Sequence, residues 1–218
     1  MTRLVEVRTQ ILKQNDVVAR ELRKQFAEQR RFVVSMVSSP GSGKTELLQK
    51  TLEQIGQRYR VAAVVGDLAT DNDADRLARS GAMVRQITTG TLCHLEAEMV
   101  REAIKPWNEQ PLDFLFIENV GNLVCPSSYD LGESLRVVLF SVTEGEDKPR
   151  KYPTIFNTAD ATVITKIDLA DAVEFDEAAA RASVERVRPG MPILQVSAKT
   201  DEGMLEWIDW LAEQHQKI

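Results

Sequence analysis

The sequence is poor in cysteine and histidine, the residues that most often bind transition metals. Only two of its 218 residues are cysteines and two are histidines. Two cysteines cannot build a disulfide framework, and a single disulfide is rare in a reducing compartment. Free thiols, buried core side chains and metal ligands are therefore the roles left for them.

Long apolar runs and excess positive charge are also absent. No apolar run approaches the roughly 18–20 residues that a membrane-spanning helix needs, and the first residues lack the apolar core of a signal peptide. The net charge of −6 argues against general electrostatic binding to nucleic acid. We expect a cytoplasmic protein with neither nucleic acid nor membrane as a partner, and 218 residues suffice for one α/β domain.

Residues 1–31 contain neither glycine nor proline. Apolar residues recur there at helical spacing, at Leu4, Val7, Ile11, Val18 and Leu22. The pattern predicts one or two amphipathic helices, with a break near Asn15 and Asp16, where the aspartate can cap the second helix. Packing on the edge of the domain is the favoured interpretation, and a partner-binding arm is the alternative.

Beyond residue 31, short apolar runs alternate with helical patterns. Predicted strands cover residues 32–37, 61–65, 83–87, 112–117, 161–165 and 193–197. Predicted helices cover residues 44–57, 74–79, 92–105, 178–187 and 201–214. Continuous apolar strands separated by helices indicate an α/β fold with a mostly parallel sheet and helices on both faces. Residues 143–152 are so highly charged that we expect an exposed loop there.

The segment 38–45, Ser-Ser-Pro-Gly-Ser-Gly-Lys-Thr, lies between a predicted strand and a predicted helix. In this context a glycine-rich loop binds nucleotide phosphates through backbone N–H groups. Lys44 would reach the β- and γ-phosphates, and Thr45 would bind Mg²⁺. The strict pattern has glycine in place of Ser38, which weakens the match slightly. The residues expected to bind the nucleotide here are Gly41, Ser42, Gly43, Lys44 and Thr45.

Strand–helix alternation and the phosphate loop together predict a single three-layer P-loop NTPase domain. We place this domain at residues 32–218. Residues 1–31 would form an amphipathic helical segment packed on it.

Polar segments at the ends of two later strands favour guanine over adenine. A carboxylate at Asp168 can accept hydrogen bonds from N1–H and the N2 amino group of guanine, and adenine lacks this pair of donors. The two segments resemble the Asn-Lys-x-Asp and Ser-Ala-Lys motifs of GTPases. Thr165 replaces the asparagine that would tie this loop to the phosphate loop, so we expect a less rigid loop. The expected base contacts come from Lys166, Asp168, Ser197, Ala198 and Lys199.

Acidic residues follow the second predicted strand. Asp67 is the best placed to bind Mg²⁺ together with Thr45, since Mg²⁺ takes one or two carboxylates and keeps several waters. Arg76 is either a charge-stabilising arginine or an ordinary residue of a helix surface. The next three acids either act in a switch or form a solvated turn, and the sequence does not choose among Asp71, Asp73 and Asp75.

The most informative segment is residues 118–126, Glu-Asn-Val-Gly-Asn-Leu-Val-Cys-Pro, which follows a predicted strand. Its position predicts the second phosphate-sensing loop of a nucleotide hydrolase, and we assign catalysis to Lys44, Asp67 and Glu118. Gly121 is the expected hinge, and Cys125 follows on the same loop. A γ-phosphate sensor and a soft metal ligand would then share one loop.

Cys93 and His94 stand at the start of a predicted helix, where the helix N-terminus lowers the pKa of a thiol. With Cys125 they form a ligand set suited to Zn²⁺ or Ni²⁺. The alternative is that the cysteines are small buried hydrophobes and His94 a surface residue. Three ligands leave the site incomplete, so that either water fills it or two chains share it around a twofold axis. The other histidine, His215, is expected to be solvated.

Over nearly its whole length the chain resembles the nickel-insertion GTPases of hydrogenase maturation (HypB type), members of the signal-recognition and MinD-like class of P-loop proteins. The segments that carry this resemblance are residues 39–45, 66–70, 73–76, 93–95, 118–126 and 141–149. The resemblance implies Mg²⁺-dependent GTP hydrolysis, a homodimer favoured by GTP, and Ni²⁺ or Zn²⁺ bound by Cys93, His94 and Cys125 near the dimer interface. It also implies delivery of nickel to the large-subunit precursor of a nickel–iron hydrogenase, together with a zinc-containing partner chaperone.

Some features distinguish this chain from other family members and from proteins of the alternative functional classes. Residues 1–31 contain no cysteine or histidine, so nickel storage there is not expected. The urease-accessory nickel GTPase has a Cys-Pro-His metal motif, whereas this chain has Cys93-His94-Leu95. The guanine-reading segments disfavour a small-molecule kinase, and the phosphate loop disfavours a simple metal buffer. Mixed nitrogen and sulfur ligands accept both Ni²⁺ and Zn²⁺, so the sequence does not rank them.

Overall fold

The structure, a computed structural model, describes residues 2–67 and 72–217, and it describes side chains from residue 10 onward with the exception of Asn72. The predicted apolar positions Leu4 and Val7 and the candidate switch acid Asp71 lie outside these described residues. None of the helices among them is both long enough and apolar enough to cross a membrane.

The strands form one sheet in which every adjacent pair runs parallel, in the order β3-β2-β4-β1-β5-β6-β7. The strands are β1 (Phe32–Ser38), β2 (Val61–Asp67), β3 (Met83–Thr88), β4 (Phe114–Glu118), β5 (Leu135–Ser141), β6 (Ala161–Thr165) and β7 (Ile193–Val196). Helices surround this sheet, and the predicted single α/β domain is confirmed. Since all strands point the same way, their carboxyl ends and the loops that follow lie at one edge.

Helices cover both faces of the sheet. They are α1 (Thr2–Glu28), α2 (Lys44–Ile55), α3 (Asn72–Ala78), α4 (Ala97–Ile104), α5 (Lys148–Lys151), α6 (Pro153–Thr158), α7 (Glu177–Val187) and α8 (Met204–His215). Alternate residues of β1 serve the two faces, because successive side chains of a strand point in opposite directions. Val34 packs in a cluster with α2 and α8, whereas Val33 packs with α1 and α4 on the other face.

Strand β5 is absent from the sequence-based assignment, although it lies beside β1 in the middle of the sheet. The chain reaches it through a loop whose only regular turn is a short 3-10 helix at Cys125–Ser128, so the strand–helix alternation is interrupted. The strand also carries Arg136, which is buried because its guanidinium binds the Glu133 carboxylate at 2.7 Å and the Tyr129 carbonyl at 2.8 Å.

The predicted break in the N-terminal helix is wrong, since α1 runs without interruption from Thr2–Glu28. A mid-helix asparagine destabilises a helix when its side chain competes for nearby backbone groups. The Asn15 side chain instead bonds to Asp130 and Ala97, outside its own helix. Its hydrogen-bonding capacity is therefore used without opening α1.

Two other predicted boundaries are wrong. The helix expected over residues 92–105 begins only at Ala97, because the preceding backbone is engaged by asparagine side chains at Cys93 and Leu95. The loop expected over residues 143–152 instead contains a 3-10 turn and α5. The pair Lys148–Glu144 at 2.8 Å lets these charges lie partly buried.

Candidate functional site

The phosphate loop joins β1 to α2 in the predicted manner. Gly41 and Gly43 have φ angles of 75° and 87°, a left-handed conformation that glycine adopts without steric penalty. Lys44 is the first residue of α2 and is largely buried. At the position where glycine is usual, Ser38 is fully buried and its hydroxyl donates to the Ser39 carbonyl at 2.7 Å. Serine is therefore compatible with this loop.

A cavity of about 720 Å³ opens above the phosphate loop at the carboxyl edge of the sheet. This volume lies in the range of small-molecule sites. Ser42 lies beneath the cavity wall rather than in it, and its carbonyl binds the neighbouring loop. Asp73 and Arg76 line the cavity and Asp75 does not. The other predicted nucleotide contacts all line it, namely Gly41, Gly43, Lys44, Thr45, Asp67, Glu118, Lys166, Asp168, Ser197, Ala198 and Lys199.

The end of the cavity that carries the predicted base contacts is tied to the phosphate loop by two hydrogen bonds, so the tie that was expected to be lost at Thr165 is present. The Thr165 hydroxyl donates to the Ser42 carbonyl at 2.6 Å, and the Lys166 ammonium donates to the Gly41 carbonyl at 2.7 Å. A buried threonine thus makes the tie that was expected only of asparagine. The short hydroxyl suffices because β6 brings its last residue directly beside the phosphate loop.

Asp168 is oriented by the second base-reading segment. The Ser197 hydroxyl donates to the Asp168 carboxylate at 2.7 Å, which turns that carboxylate toward the cavity. The Ser197 backbone N–H already donates to the Glu202 carbonyl at 2.9 Å. A backbone donor for a base oxygen is therefore to be sought at Ala198 or Lys199.

Glu118 closes the phosphate end of the cavity. Its carboxylate accepts a hydrogen bond from the Thr45 hydroxyl at 2.7 Å and lies 4.0 Å from the Lys44 ammonium. It is 3% exposed, and its second oxygen, Oε2, is buried without a partner. Burial raises the pKa of Glu118, against the opposing effect of Lys44. An orphaned carboxylate oxygen beside a threonine hydroxyl and near Asp67 fits a hard cation such as Mg²⁺.

Arg76 reaches the same edge from α3. Its guanidinium forms an ion pair with Glu46 of α2 and a hydrogen bond of 3.3 Å to Gln49. These contacts hold the last turn of α3 against α2, beside the cavity. Asp67 ends β2 and faces the cavity as predicted from its place at a strand end.

A cluster of soft donors lies beside this cavity. The side-chain ligand atoms of Cys93, His94 and Cys125 lie within 4.8 Å of one another. The two Sγ atoms are 2.7 Å apart, and Cys93 Sγ is 3.8 Å from His94 Nδ1. The His94 ring packs against the Tyr129 ring, with centroids 3.9 Å apart and planes tilted by 35°. Two thiols and an imidazole at this spacing form a candidate site for a soft or borderline metal ion.

The surroundings of these donors differ from the sequence-based expectation. Cys93 precedes α4 rather than standing at its N-terminus. The pKa of the Cys93 thiol is raised, mainly by the contact with Cys125 and secondly by burial. The predicted lowering of this pKa is therefore wrong. His94 is 7% exposed, which excludes the alternative that it is a surface residue. Burial lowers the pKa of its imidazole against the effect of Glu96, 3.7 Å away.

Two asparagines of the segment 118–126 bind the segment that carries Cys93 and His94. Asn119 Oδ1 accepts from the Leu95 backbone N–H at 3.1 Å. Asn122 Nδ2 donates to the Cys93 carbonyl at 3.2 Å. Sequence reasoning missed both roles, although an amide side chain in a loop between buried strands is a recognisable hint.

The same loop touches the phosphate loop at Gly121. A Cβ atom added to Gly121 would lie 3.1 Å from Pro40, so only glycine allows this approach without displacement. The segment 118–126 therefore contacts the nucleotide cavity at Glu118 and Gly121 and the donor cluster at Asn122 and Cys125.

His215 lies far from both sites and is not solvated as predicted. Its ring stacks on Phe114 with centroids 4.8 Å apart and meets the edges of Phe32 and Tyr59. The final turn of α8 thus joins an aromatic cluster at the opposite edge of the sheet.

Comparison with known proteins gives consistent matches. The family model for the CobW/HypB/UreG nucleotide-binding domain matches residues 32–195. The hydrogenase maturation factor HypB of Azotobacter vinelandii is 46% identical over 213 residues, which is 98% of this chain and 70% of the relative.

Solved structures agree. The crystal structure of HypB from Helicobacter pylori in complex with nickel matches with a TM-score of 0.88 and 40% identity, covering 94% of this chain and 96% of the other. The signal recognition particle 54 kDa protein of Aeropyrum pernix K1, in complex with GDP, matches with a TM-score of 0.60 and 14% identity, over 85% of this chain and 49% of the other. This second likeness shows the fold alone.

Proposed function

Because this chain belongs to the family of HypB hydrogenase maturation factors, within the CobW/HypB/UreG nucleotide-binding group, we propose that it is a GTP-hydrolysing metallochaperone. It binds nickel or zinc and assists nickel insertion into a nickel–iron hydrogenase. The observation that carries this proposal is that one loop, residues 118–126, meets Thr45 at one end and Cys93 at the other.

The nucleotide in this proposal is GTP. Asp168, oriented by the Ser197 hydroxyl, accepts from the two guanine donors, and a carboxylate held in this way discriminates strongly against a base that lacks them. The Lys166 stem, fixed by the bond of its ammonium to Gly41, lies along the base. ATP would leave the Asp168 carboxylate without donors.

Hydrolysis in this proposal depends on positioning and charge rather than on covalent chemistry. Lys44 and the N–H groups of the phosphate loop bind the β- and γ-phosphates. Thr45 and Asp67 would hold Mg²⁺, which would supply positive charge at the phosphates. Glu118, whose carboxylate accepts from the Thr45 hydroxyl, binds water in the same region. We expect slow GTP turnover, because hydrolysis in this proposal sets the time of metal delivery and does not need to produce much product.

The cargo metal binds Cys93, His94 and Cys125. A relative at 40% identity has been crystallised in complex with nickel, and thiolate and imidazole ligands suit both Ni²⁺ and Zn²⁺. Three ligands do not complete a four-coordinate site. A homodimer, favoured by GTP, would bring four cysteines and two histidines together around a twofold axis.

Nucleotide state reaches the metal through the segment 118–126. Entry of a γ-phosphate next to Gly121 shifts the loop, and three of its side chains transmit the movement to the donor cluster: Asn119, Asn122 and Cys125. A coupling of about 1–3 kcal/mol, typical of linked sites, changes metal affinity roughly 5–150-fold. By linkage, the metal must change nucleotide affinity by the same factor.

Partners and organisation complete the proposal. Residues 32–218 form the GTPase domain, and residues 1–31 form a helical segment packed on it. The partners are a second copy of this chain, a zinc-containing maturation chaperone and the hydrogenase large-subunit precursor, all in the cytoplasm. Asp73, which lines the cavity, is the candidate switch acid among the described residues.

Gel filtration combined with metal analysis tests the shared-loop mechanism. The protein is loaded with Ni²⁺ in the presence of GDP or of a non-hydrolysable GTP analogue, and the same is done for Cys125→Ala. We expect a dimer with the analogue, a nucleotide-dependent Ni²⁺ affinity in the wild type, and loss of metal in the variant. Ser128→Ala, in the same 3-10 turn, is the matched control.

The proposal has clear points of failure. A monomer in every nucleotide state contradicts the dimer. Unchanged nickel content in Cys125→Ala contradicts the ligand assignment, and equal Ni²⁺ affinity with GDP, with the analogue and without nucleotide contradicts the coupling.

A further inference from the structure

Asn15 lies in the middle of α1 and is only 6% exposed. Both ends of its amide are used. Its Nδ2 donates to the Asp130 carbonyl at 2.8 Å, and its Oδ1 accepts from the Ala97 backbone N–H at 2.8 Å. A buried amide is stable only when hydrogen-bonded, and this one bonds to two backbone segments that are far apart in the sequence.

The bond from the Ala97 N–H to Asn15 Oδ1 fixes the segment that carries Cys93 and His94. Ala97 is the first residue of α4, and the preceding residue, Glu96, makes no side-chain capping bond. A helix N-terminus leaves backbone N–H groups without partners, and a side-chain oxygen usually accepts one of them. Here the cap comes from another helix, because Asn15 of α1 accepts from the Ala97 N–H. Ala97 lies three residues after His94.

The bond from Asn15 Nδ2 to the Asp130 carbonyl fixes the segment that carries Cys125. Asp130 follows Tyr129, whose ring packs against His94, and lies five residues after Cys125. Arg23 of α1 adds an ion pair to the Asp130 carboxylate at 2.7 Å. Gly132, with φ of +79°, lies so close to α1 that an added Cβ would be 2.8 Å from the Ala19 carbonyl oxygen. This segment therefore rests directly on α1.

We propose that Asn15 is a positioning residue of the metal cluster: it joins the two loops that carry the donors and sets their separation. The proposal rests on the proposed metal site. It gives α1 a role beyond covering the sheet, since a rigid helix holds both loops through one amide group. Any partner or substitution that moves α1 then changes the metal geometry.

Asn15→Ala tests this inference with Co²⁺ as the spectroscopic probe. Changes to groups that orient metal ligands typically weaken binding 10–100-fold, and we expect weakening of Co²⁺ binding in this range, with altered d–d absorption. The matched control is Gln25→Ala, which removes another amide of α1. The Gln25 amide donates to the Asn108 side chain at 3.0 Å, at a place away from the cluster. Melting temperatures of both variants show whether α1 remains docked.

A second variant separates the two bonds. Asn15→Asp keeps an acceptor for the Ala97 N–H and removes the donor to Asp130. We expect its Co²⁺ affinity to fall, with the Cys125 loop alone released. In the metal-free protein, nucleotide affinity should stay unchanged in both Asn15 variants, because Asn15 does not line the cavity.

A readout without metal distinguishes failure of this inference from failure of the proposed metal site. In the metal-free protein, diamide takes two hydrogens from Cys93 and Cys125 and leaves a disulfide. We expect this reaction to slow in Asn15→Ala and not in Gln25→Ala. A wild type that binds no Co²⁺ refutes the metal site alone. Equal oxidation rates and equal Co²⁺ spectra in wild type and Asn15→Ala overturn the role of Asn15.

Discussion

The nucleotide cavity and the donor cluster lie side by side, but they are built in different ways. The cavity gathers short contiguous motifs at the carboxyl edge of neighbouring strands, and direct bonds such as Thr165 to Ser42 lock them together. The cluster joins Cys93 to Cys125 across 32 residues, through loops held by amide side chains. A parallel sheet positions the first site automatically, whereas the second depends on specific tertiary hydrogen bonds.

The difference indicates which site is free to respond. Residues fixed at strand ends move little, since they are part of the sheet's hydrogen-bonded core. Loops tied by a few amides can shift when one contact changes. The segment 118–126 belongs to both regions, so the rigid site can act on the adaptable one. Single substitutions can change one region without the other, or can remove the contacts between them.

The largest expected effect comes from Lys44→Ala. Removing one preorganised positive group at the transferring phosphate costs about 10²–10³-fold in rate, and we expect GTP hydrolysis to fall by that factor. Metal affinity without nucleotide should not change, because Lys44 does not touch the cluster. Lys50→Ala in the same helix is the control. Loss of metal binding by the nucleotide-free variant would show that the two regions are not separable.

The second prediction is that Asp168→Asn weakens the preference of the cavity for guanine nucleotides. Each hydrogen bond to a charged group contributes about 1.5–3 kcal/mol, so two bonds to guanine predict a loss of about 10²-fold or more in GDP affinity. Isothermal titration with GDP and ADP measures it. Asp171→Asn, just beyond in the chain, should bind as the wild type does. An unchanged preference for guanine would refute the base-reading assignment.

Asn119→Ala and Asn122→Ala address the contact between the regions. Each removes a bond to the Cys93–Leu95 backbone, and a buried group left unpaired costs about 1–3 kcal/mol. We expect the ratio of Ni²⁺ affinities with GTP analogue and GDP to fall about tenfold toward one. Because Asn119 also lines the cavity, Asn122→Ala is the cleaner test.

Asn157→Ala, on the exposed part of α6, controls for removal of an amide. If both loop variants keep the wild-type ratio, the signal passes through Cys125 alone or not at all.

The smallest effect concerns the pH dependence of Glu118. Burial raises the pKa of this carboxyl above its ordinary value of 4.5. A raised pKa means that Glu118 favours the folded state at low pH, and that this contribution is lost as pH rises from 4.5 through the raised value. We expect the melting temperature of nucleotide-free Glu118→Gln, relative to wild type, to increase between pH 4.5 and 8. A difference that stays constant over this pH range would contradict the raised pKa.

Features that depend on neighbouring residues in the chain were predicted from the sequence. The phosphate loop follows from Gly41, Gly43 and Lys44 between a strand and a helix, and the position of Asp168 follows from its place after a buried strand. The helix boundary at Ala97 was missed because Asn119 and Asn122 remove that backbone from helical bonding. Strand β5 was missed because its preceding loop is irregular and Arg136 is buried through tertiary partners.

The sequence by itself determined the α/β fold and the nucleotide cavity, because each depends on residues close together in the chain or on the regular geometry of a parallel sheet. It also limited the candidate metal donors, because the chain has only two cysteines and two histidines. Only the tertiary structure brought Cys93, His94 and Cys125 together, let Thr165 replace an asparagine, and gave Asn15 its two partners. Those contacts join residues far apart in the chain, and hydrogen bonds between side chains and distant backbone leave no periodic pattern along a sequence.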